Sequence, residues 1–304
     1  MKRILTGFGI FAGALLALDF LCGVCVQTVI SRSGFRFARL YGDRRMAADV
    51  VVLGNSRAVN SFYVPELEKR TGLRWLNLGY NGIGPRLVEA LLLDYLDRHE
   101  KPRLVVLEMS NAWQGTGPIR DLRIFARRSP RLRALDAGNG EWLDDLLKMS
   151  ALNSVNGEMI LRVAYYLGKD DQNWVNSGRL DPNQADEAQR RLAECLSPEV
   201  SEEAVSAYRR IFRELKERGI DMCCFIGPYF ANEPERKTVR TAVAKVMVPD
   251  VPFIDSIDAV DDVSSYADPQ HLNREGAVRY AGILLPGLCK FFPGLVRTVP
   301  RGSL

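Results

Sequence analysis

The chain has 304 residues, enough to bury a full hydrophobic core, and this length suits one α/β domain with an insertion. Its 41 basic and 37 acidic residues leave a formal net charge of only +4. A balance this even argues against nucleic acid as a partner, because nucleic-acid-binding proteins concentrate basic residues on one face.

An apolar segment runs from Ile4 to Ile30 near the N-terminus, interrupted by Asp19 and Gln27. It is long enough to cross a bilayer as a helix. A cleaved secretory leader is the alternative, but no small-x-small cleavage site follows the apolar run. We therefore predict an uncleaved transmembrane anchor over residues 1–30. A charge inside such a helix is costly, so Asp19 is expected near the outer end of the span rather than at an assembly contact.

Basic residues flank this segment unevenly. Two precede it, and five follow it within residues 31–48, a predicted juxtamembrane linker: Arg32, Arg36, Arg39, Arg44 and Arg45. By the positive-inside rule these arginines alone would keep the rest of the chain in the cytoplasm, although large domains can translocate despite flanking charge. The flanking charges therefore leave the orientation open.

Short apolar strands alternate with helices from residue 49 onward. The predicted strands cover residues 49–54, 74–79, 103–110, 221–226 and 252–255, and the predicted helices cover 65–68, 85–98, 199–218, 234–247 and 273–288. This alternation is typical of a parallel sheet with right-handed crossovers. We predict a flavodoxin-like three-layer α/β/α domain with about five strands over residues 49–290, followed by a C-terminal tail at 291–304.

Residues 112–198 separate the third and fourth predicted strands, and the segment is too long for a simple crossover. Apolar residues at helical spacing predict a helical cap over the site: Trp142, Leu143, Leu146, Leu147, Ile160, Val163, Ala164 and Leu167. Residues 119–135 also carry six arginines: Arg120, Arg123, Arg127, Arg128, Arg131 and Arg133. These arginines could contact acidic polysaccharide or anionic lipid headgroups, or form the solvated face of a surface helix.

The six cysteines show neither a disulfide framework nor metal-ligand spacing with histidine: Cys22, Cys25, Cys195, Cys223, Cys224 and Cys289. Two lie in the N-terminal apolar segment and two are adjacent, and adjacent cysteines rarely bridge each other. We interpret them as small buried hydrophobic residues and expect no metal and no cofactor.

The motif Asp268-Pro269-Gln270-His271 precedes the last predicted helix and contains one of only two histidines in the chain. Residues three apart in one helical turn share a face, so Asp268 could reach a ring nitrogen of His271. Such a pair is the base half of a Ser-His-Asp triad. The alternative is an aspartate that caps the last helix, with a surface histidine beside it.

A candidate for the other half of such a triad, the serine, lies far upstream, where the first predicted strand ends in Gly54-Asn55-Ser56. A serine between a strand and a helix is held on a tight turn with its hydroxyl exposed. The alternative is an ordinary turn in which Ser56 caps the helix. Gly82 after the second strand could offer a backbone N–H, and the Asn111 amide after the third strand could stabilise an oxyanion. Turn chemistry is the alternative for both.

Taken in order, these four segments resemble the blocks of the SGNH hydrolase superfamily, also called the GDSL family. The resemblance implies that Ser56 is the nucleophile, that His271 is the general base and that Asp268 orients His271. It further implies an oxyanion hole made by the Ser56 N–H, Gly82 and Asn111. All these residues would meet at the carboxyl edge of the sheet, where such folds bind ligands.

The resemblance covers roughly residues 49–111 and 199–290 and departs from the family at two positions. Asn55 stands where the family usually has aspartate, and Ser110 stands where it usually has glycine. Asn55 is not the triad acid, so no chemical step is lost, whereas Ser110 makes the match of Asn111 weaker. Gly-Asn-Ser blocks are familiar in membrane-anchored envelope members similar to the alginate O-acetylation proteins and the D-alanyl transfer protein of teichoic acid modification.

The resemblance implies a membrane-anchored serine esterase or O-acyltransferase, of the O-acetyl kind, that acts on a cell-envelope polysaccharide. The expected partners are an acylated glycan or acyl donor, the membrane, and other envelope polysaccharide proteins. The expected location is the cytoplasmic (inner) membrane, with a single span and the catalytic domain on the periplasmic or extracytoplasmic side. Two alternatives stay open: a non-catalytic assembly or glycan-binding subunit, and a cytoplasmic-facing lipid esterase.

Overall fold

The computed structural model of the chain describes residues 2–110, 112, 113, 115, 117–136, 150–155 and 157–295. The chain forms two compact units, each built from two separate stretches of sequence. The N-terminal unit contains Met1–Arg45 and Pro118–Asp171, and the sheet unit contains Met46–Gly117 and Gln172–Leu304. Of the segment 112–198, predicted as a cap, residues 118–171 belong to the N-terminal unit and residues 112–117 and 172–198 to the sheet unit.

Five parallel strands form the sheet of the sheet unit, in the order β2-β1-β3-β4-β5. Their bounds are β1 Val50–Leu53, β2 Trp75–Asn77, β3 Leu104–Glu108, β4 Asp221–Ile226 and β5 Phe253–Asp255. Every residue of β1, β2 and β3 is buried, as expected for parallel strands that helices cover on both faces. The predicted α/β class and the five-stranded parallel sheet are confirmed.

The α-helices of the described residues alternate with these strands. In chain order they are α1 Lys2–Arg32, α2 Arg36–Leu40, α3 Ser56–Ser61, α4 Val64–Thr71, α5 Pro85–Arg98, α6 Pro130–Asp136, α7 Ala151–Ser154, α8 Gly157–Tyr165, α9 Ala185–Cys195, α10 Glu202–Glu217, α11 Glu233–Ala244 and α12 Arg274–Phe291. 3-10 helices cover Ile119–Arg128, Pro182–Gln184, Val263–Ser265 and Pro293–Leu295.

Apolar side chains of the strands and of the last helix make the core that supports the site. Val52 of β1 and Val106 of β3 lie in one buried cluster with Leu284 and Leu288 of α12. Asn273 caps α12 by accepting a hydrogen bond from the Gly276 backbone N–H at 3.0 Å. The last helix is thereby fixed against the sheet directly after the Asp268–His271 motif.

The local structure of that motif differs from the helical turn expected from the spacing of Asp268 and His271. The two residues lie on short antiparallel strands, β6 Tyr266–Asp268 and β7 His271–Leu272. The Asp268 carboxylate accepts the backbone N–H of Gln270 at 2.8 Å, which closes a turn that the side chain itself stabilises. The helix begins only after Asn273, so Asp268 is not its cap.

Residues 31–45, predicted as part of a linker, are packed within the N-terminal unit. Phe37 and Leu40 of α2 are fully buried, and the ring of Tyr41 stacks on Phe125 at 5.3 Å. The apolar residues between the arginines explain this packing, because they form a buried face on a basic segment. Arg36 is itself buried and pairs with Asp171 at 2.7 Å.

Helix α1 is the one helix of the described residues that is long and apolar enough to cross a membrane, and a signal sequence has the same properties. Asp19 lies on this helix and makes contacts with the downstream part of the N-terminal unit. Its carboxylate accepts the Ser150 hydroxyl at 2.6 Å and the Leu152 backbone N–H at 3.0 Å. Ser150 is the N-cap of α7, since its hydroxyl oxygen accepts the Asn153 backbone N–H, and Asp19 satisfies a further free N–H of the first turn. The position of Asp19 near the outer end of a span remains a prediction.

The arginine-rich run folds as the 3-10 helix Ile119–Arg128 followed by α6. Arg123 pairs with Asp136 at 2.8 Å, and Arg128 pairs with Asp43 at 2.7 Å. These two arginines therefore stabilise their own unit. The apolar residues Trp142, Leu143, Leu146 and Leu147 lie outside the described residues.

All six cysteines are free, and two of them fit the interpretation as buried hydrophobic residues. Cys223 and Cys224 are fully buried in β4, and burial raises the pKa of the Cys223 thiol to about 12. Cys25 and Cys195 are exposed, contrary to that interpretation.

Candidate active site

The turn after β1 places Ser56 at the first residue of α3. Asn55, one residue earlier, caps the helix by accepting the Arg57 backbone N–H at 2.9 Å. The alternative in which Ser56 is the cap is therefore wrong, since Asn55 occupies that position. The serine hydroxyl is left available for another partner.

Gly54 makes this turn possible. Its φ is +148°, and a Cβ built on it would lie 2.4 Å from the Cβ of Glu108 on β3. Only glycine tolerates this backbone angle and this approach together.

We expect Gly54→Ala to lower the free energy of unfolding by roughly 2–4 kcal/mol, because the methyl group overpacks a buried contact and strains the backbone. Urea unfolding followed by circular dichroism measures this loss. Gly168→Ala is the matched control, because Gly168 also has a positive φ (+68°) but a Cβ there would meet nothing within 4 Å. Equal losses for the two variants would show that backbone strain alone, and not the approach of β3, requires Gly54.

Ser56, His271 and Asp268 meet in the sheet unit. The Ser56 Oγ lies 2.6 Å from the Nε2 of His271, and the Nδ1 of the same ring lies 2.8 Å from the Asp268 Oδ2. With the Nδ1 proton donated to Asp268, Nε2 accepts the hydrogen bond of the serine hydroxyl. Residues separated by 215 positions in the chain thus form a continuous Ser-His-Asp relay.

Asp268 is held by its own loop as well as by the histidine. Its Oδ1 accepts the backbone N–H groups of Gln270 at 2.8 Å and of His271 at 3.1 Å. Burial would raise the pKa of this carboxyl, but the hydrogen bond and charge of His271 and the two backbone N–H groups bring the pKa below its usual value. The carboxylate is therefore ionised at neutral pH.

This lowered pKa predicts how stability depends on pH. A carboxyl whose pKa is lower in the folded state stabilises the fold above its unfolded pKa, and the contribution disappears as the pH falls through the folded pKa. The unfolding midpoint in urea should therefore differ more between the wild type and Asp268→Asn at pH 7 than at pH 3. A difference that is the same at both pH values would contradict the lowered pKa.

The two further oxyanion candidates stand differently in the structure. Gly82 is exposed, with a φ of +72°, in the loop after β2. The Tyr80 backbone N–H donates to the Gly54 carbonyl at 3.1 Å, which ties this loop to the turn that carries the nucleophile. Asn111 lies outside the described residues. The oxyanion roles of Gly82 and Asn111 remain predictions.

His99, the other histidine, is not part of the site. Its Nδ1 accepts the backbone N–H of Met46 at 3.1 Å, and its ring lies 5.2 Å from that of Tyr95. Within the ranges that the structure describes, no cluster of three histidine, cysteine, aspartate or glutamate residues could hold a metal ion.

Sequence reasoning missed a buried ion pair next to the nucleophile. Arg57 and Glu108 are each 1% exposed, with Arg57 Nε 3.5 Å from Glu108 Oε1. Burial raises the pKa of Glu108, against the opposing effects of Arg57 and of hydrogen bonds from Ser110. A signal was present, since a glutamate ends an otherwise apolar buried strand and an arginine directly follows the serine.

Chemically, the arrangement is a nucleophile hydrogen-bonded to a base that a third group orients, which is the geometry of covalent catalysis by serine. The chain matches no protein-family model, and no curated protein matches its sequence.

Among the solved structures that are similar to this chain, three have low sequence identity to it. A candidate acylhydrolase from Bacteroides fragilis has 12% identity and a TM-score of 0.38, over 83% of this chain and 93% of its own. A catalytic mutant of an acetylxylan esterase from Geobacillus stearothermophilus has 13% identity and a TM-score of 0.39, over 84% and 99%. An acetyl xylan esterase from Butyrivibrio proteoclasticus has 11% identity and a TM-score of 0.36, over 83% and 66%.

Proposed function

We propose that this chain is a membrane-anchored serine hydrolase of the SGNH type, which acts on an acyl ester of a cell-envelope polysaccharide. The observation that carries the proposal is the Ser56–His271–Asp268 relay, with consecutive hydrogen bonds of 2.6 and 2.8 Å. Distances of this length are those of a working nucleophile and base. An intact relay disfavours a subunit with only an assembly or glycan-binding role.

The chemistry follows from the relay. The Ser56 Oγ attacks the acyl carbonyl carbon while its proton passes to the Nε2 of His271, and the Asp268 carboxylate stabilises the imidazolium. The Ser56 N–H, Gly82 and Asn111 are the proposed donors to the oxyanion. The Nε2 proton then moves to the leaving alcohol oxygen as the ester C–O bond breaks, which leaves an acyl-serine.

The second half of the reaction decides between an esterase and a transferase. His271 takes a proton from water or from a sugar hydroxyl, and the resulting oxygen nucleophile attacks the acyl-serine. The bond between the acyl carbon and the Ser56 Oγ then breaks, and the Nε2 proton of His271 returns to that oxygen. Water releases a free acid, whereas a sugar hydroxyl yields a new ester. The two activities share Ser56, His271 and Asp268 and differ only in the acceptor.

The envelope location rests on two features. Helix α1 has the length and apolar composition of a membrane span. The Gly54-Asn55-Ser56 turn is similar to the serine block of membrane-anchored envelope members of the SGNH superfamily. The sheet unit is accordingly proposed to lie on the extracytoplasmic side.

The test of the activity uses the full-length protein in detergent, because α2 and Tyr41 are buried in the N-terminal unit and a truncation near residue 40 would cut through it. We expect hydrolysis of p-nitrophenyl acetate and labelling of Ser56 by a serine-directed phosphonate. Acetylated polysaccharide with a non-acetylated oligosaccharide acceptor then separates free acetate from acetyl transfer by mass. Labelling of a residue other than Ser56 would contradict the proposed hydrolase activity. The absence of both hydrolysis and labelling would contradict it as well.

The orientation is tested separately by protease treatment of intact spheroplasts. We expect the sheet unit to be digested while a cytoplasmic control protein survives. Protection until lysis would show that the arginines after α1 decide the topology and would favour the cytoplasmic-facing lipid esterase. The serine chemistry would be unaffected by that outcome.

A further inference from the structure

Arg57 follows the nucleophile in the chain, and its guanidinium binds two other loops of the sheet unit. Its Nη1 donates to the carbonyl oxygen of Gln270 at 2.5 Å. Its Nη2 donates to the carbonyl oxygens of Gly227 at 2.6 Å and of Pro228 at 2.9 Å, in the segment after β4. The guanidinium also lies over the ring of Tyr229, 3.4 Å from its centroid.

The Gln270 contact bears directly on the proposed chemistry. Gln270 stands between Asp268 and His271, and its own N–H is bound by the Asp268 carboxylate. Arg57 is covalently joined to Ser56, so one side chain connects the peptide of the nucleophile to the peptide of the base. The distance between Ser56 Oγ and His271 Nε2 therefore depends on where this guanidinium is held.

Glu108 holds the guanidinium from the third strand. Its Oε1 lies 3.5 Å from Arg57 Nε and accepts the backbone N–H of Ser110 at 3.0 Å and the Ser110 hydroxyl. Ser110 directly precedes Asn111, the proposed oxyanion residue. The Glu108 carboxylate thereby connects the segment that begins at Ser110, after β3, to Arg57, which follows the turn after β1.

Stability alone does not explain this pair. Burying two charges has a large desolvation cost, and well-packed apolar residues of similar volume are often neutral or more stable. Most of the contacts of Arg57 are to carbonyl oxygens in two directions. A planar guanidinium satisfies such a set, whereas a lysine ammonium would be a single point donor.

We propose that Arg57 is a positioning residue, which with Glu108 sets the separation of Ser56 and His271. It does so by holding the base loop, Asp268–His271, against the nucleophile turn, Gly54–Ser56. This inference rests on the proposed hydrolase function for its kinetic readout. The geometric part of the inference, the separation of Ser56 and His271, does not depend on that function, because it can be measured without substrate.

The test compares Arg57→Lys with Arg36→Lys in the full-length protein. Arg36 is the matched control, since it is a second buried arginine, paired with Asp171 at 2.7 Å in the N-terminal unit. We expect Arg57→Lys to lower kcat about 100-fold with KM changed less than about threefold, because small displacements of reacting groups cost rates of this order. Arg36→Lys should lower the unfolding midpoint and leave kcat unchanged.

A second readout follows the histidine rings. The chain has two histidines, so ¹⁵N-histidine labelling gives one set of imidazole signals for His271 and one for His99. Arg57→Lys should shift the His271 ring signals and leave those of His99 in place, while Arg36→Lys should move neither. Should Arg57→Lys fail to fold, Glu108→Gln serves instead, because it keeps the volume and removes the charge that faces Arg57.

Two outcomes would overturn the proposal. One is an unchanged kcat together with unshifted His271 signals in a folded Arg57→Lys or Glu108→Gln protein. The other is a loss of kcat of the same size in Arg36→Lys, which would mark a general effect of destabilisation. An inactive wild type whose His271 signals still respond to Arg57→Lys would refute the hydrolase function and leave the positioning role intact.

Discussion

Ser56→Ala is expected to lower kcat for p-nitrophenyl acetate by about 10⁶-fold, because loss of the nucleophile removes the covalent route entirely. The hydroxyl is the only group that the structure places 2.6 Å from the Nε2 of His271 among the described residues. KM should change little, since the oxygen contributes to bond formation rather than to substrate binding. Steady-state kinetics and phosphonate labelling of the purified full-length variant check both points.

Ser61→Ala is the matched control for this variant. Ser61 ends the helix α3 that Ser56 begins, and it is buried, so the substitution removes the same atom from the same element. Its activity should stay within about threefold of the wild type, as expected for a change that leaves the reacting groups in place. Substantial esterase activity in Ser56→Ala, with Ser61→Ala equal to it, would show that hydrolysis proceeds elsewhere or without a serine nucleophile.

Asp268→Asn is expected to lower kcat by about 10⁴-fold at neutral pH. The carboxylate accepts the Nδ1 proton of His271 and so leaves Nε2 free to accept from Ser56. An amide at this position can donate its own N–H to Nδ1, which stabilises the tautomer with its proton on Nε2 and removes the base. The pH dependence of kcat and the histidine ring signals of the variant report this exchange.

Asp262→Asn serves as the control. Asp262 closes a turn of the same kind, since its carboxylate accepts the backbone N–H of Ser264 two residues later, and it pairs with Arg279. A wild-type rate is expected for this variant, because Asp262 makes no contact with the relay. If Asp268→Asn retained more than about a tenth of the wild-type kcat, the aspartate would have a structural role and a Ser-His dyad would be the better description.

The sequence predicted the sheet and the meeting of Ser56 with His271 because both depend on regular features. Buried parallel strands are continuous apolar runs, and their carboxyl ends share one edge, so residues that end or follow them are brought together. All five strands and the long helices were therefore visible in the pattern, with bounds shifted by a few residues. The position of the acid beside the base was right, although the helical turn invoked for it was wrong.

The remaining features depend on contacts between distant residues. A glutamate at the end of a buried strand and an arginine after the serine were visible in the sequence, but their pairing with each other and with Gln270 is set by how β3 and the base loop pack. The role of Asn55 as the helix cap was masked because Ser56 is an equally good capping residue. The joining of residues 1–45 with 118–171 likewise depends on long-range packing, such as that of Phe37 and Tyr41 with Phe125.

The long separation of Ser56 from His271 also has a consequence for the order in which the protein is made. Ribosomes add about 5–20 residues per second, so the 215 positions between the two take roughly 10–40 s to synthesise. During that interval residues 1–171, and with them all of the N-terminal unit, are completed before β4 and then the base loop are synthesised. Until residue 271 is made, the nascent chain carries a serine without a base. The proposed activity would therefore begin only after His271 has been synthesised, when all of the N-terminal unit is already present.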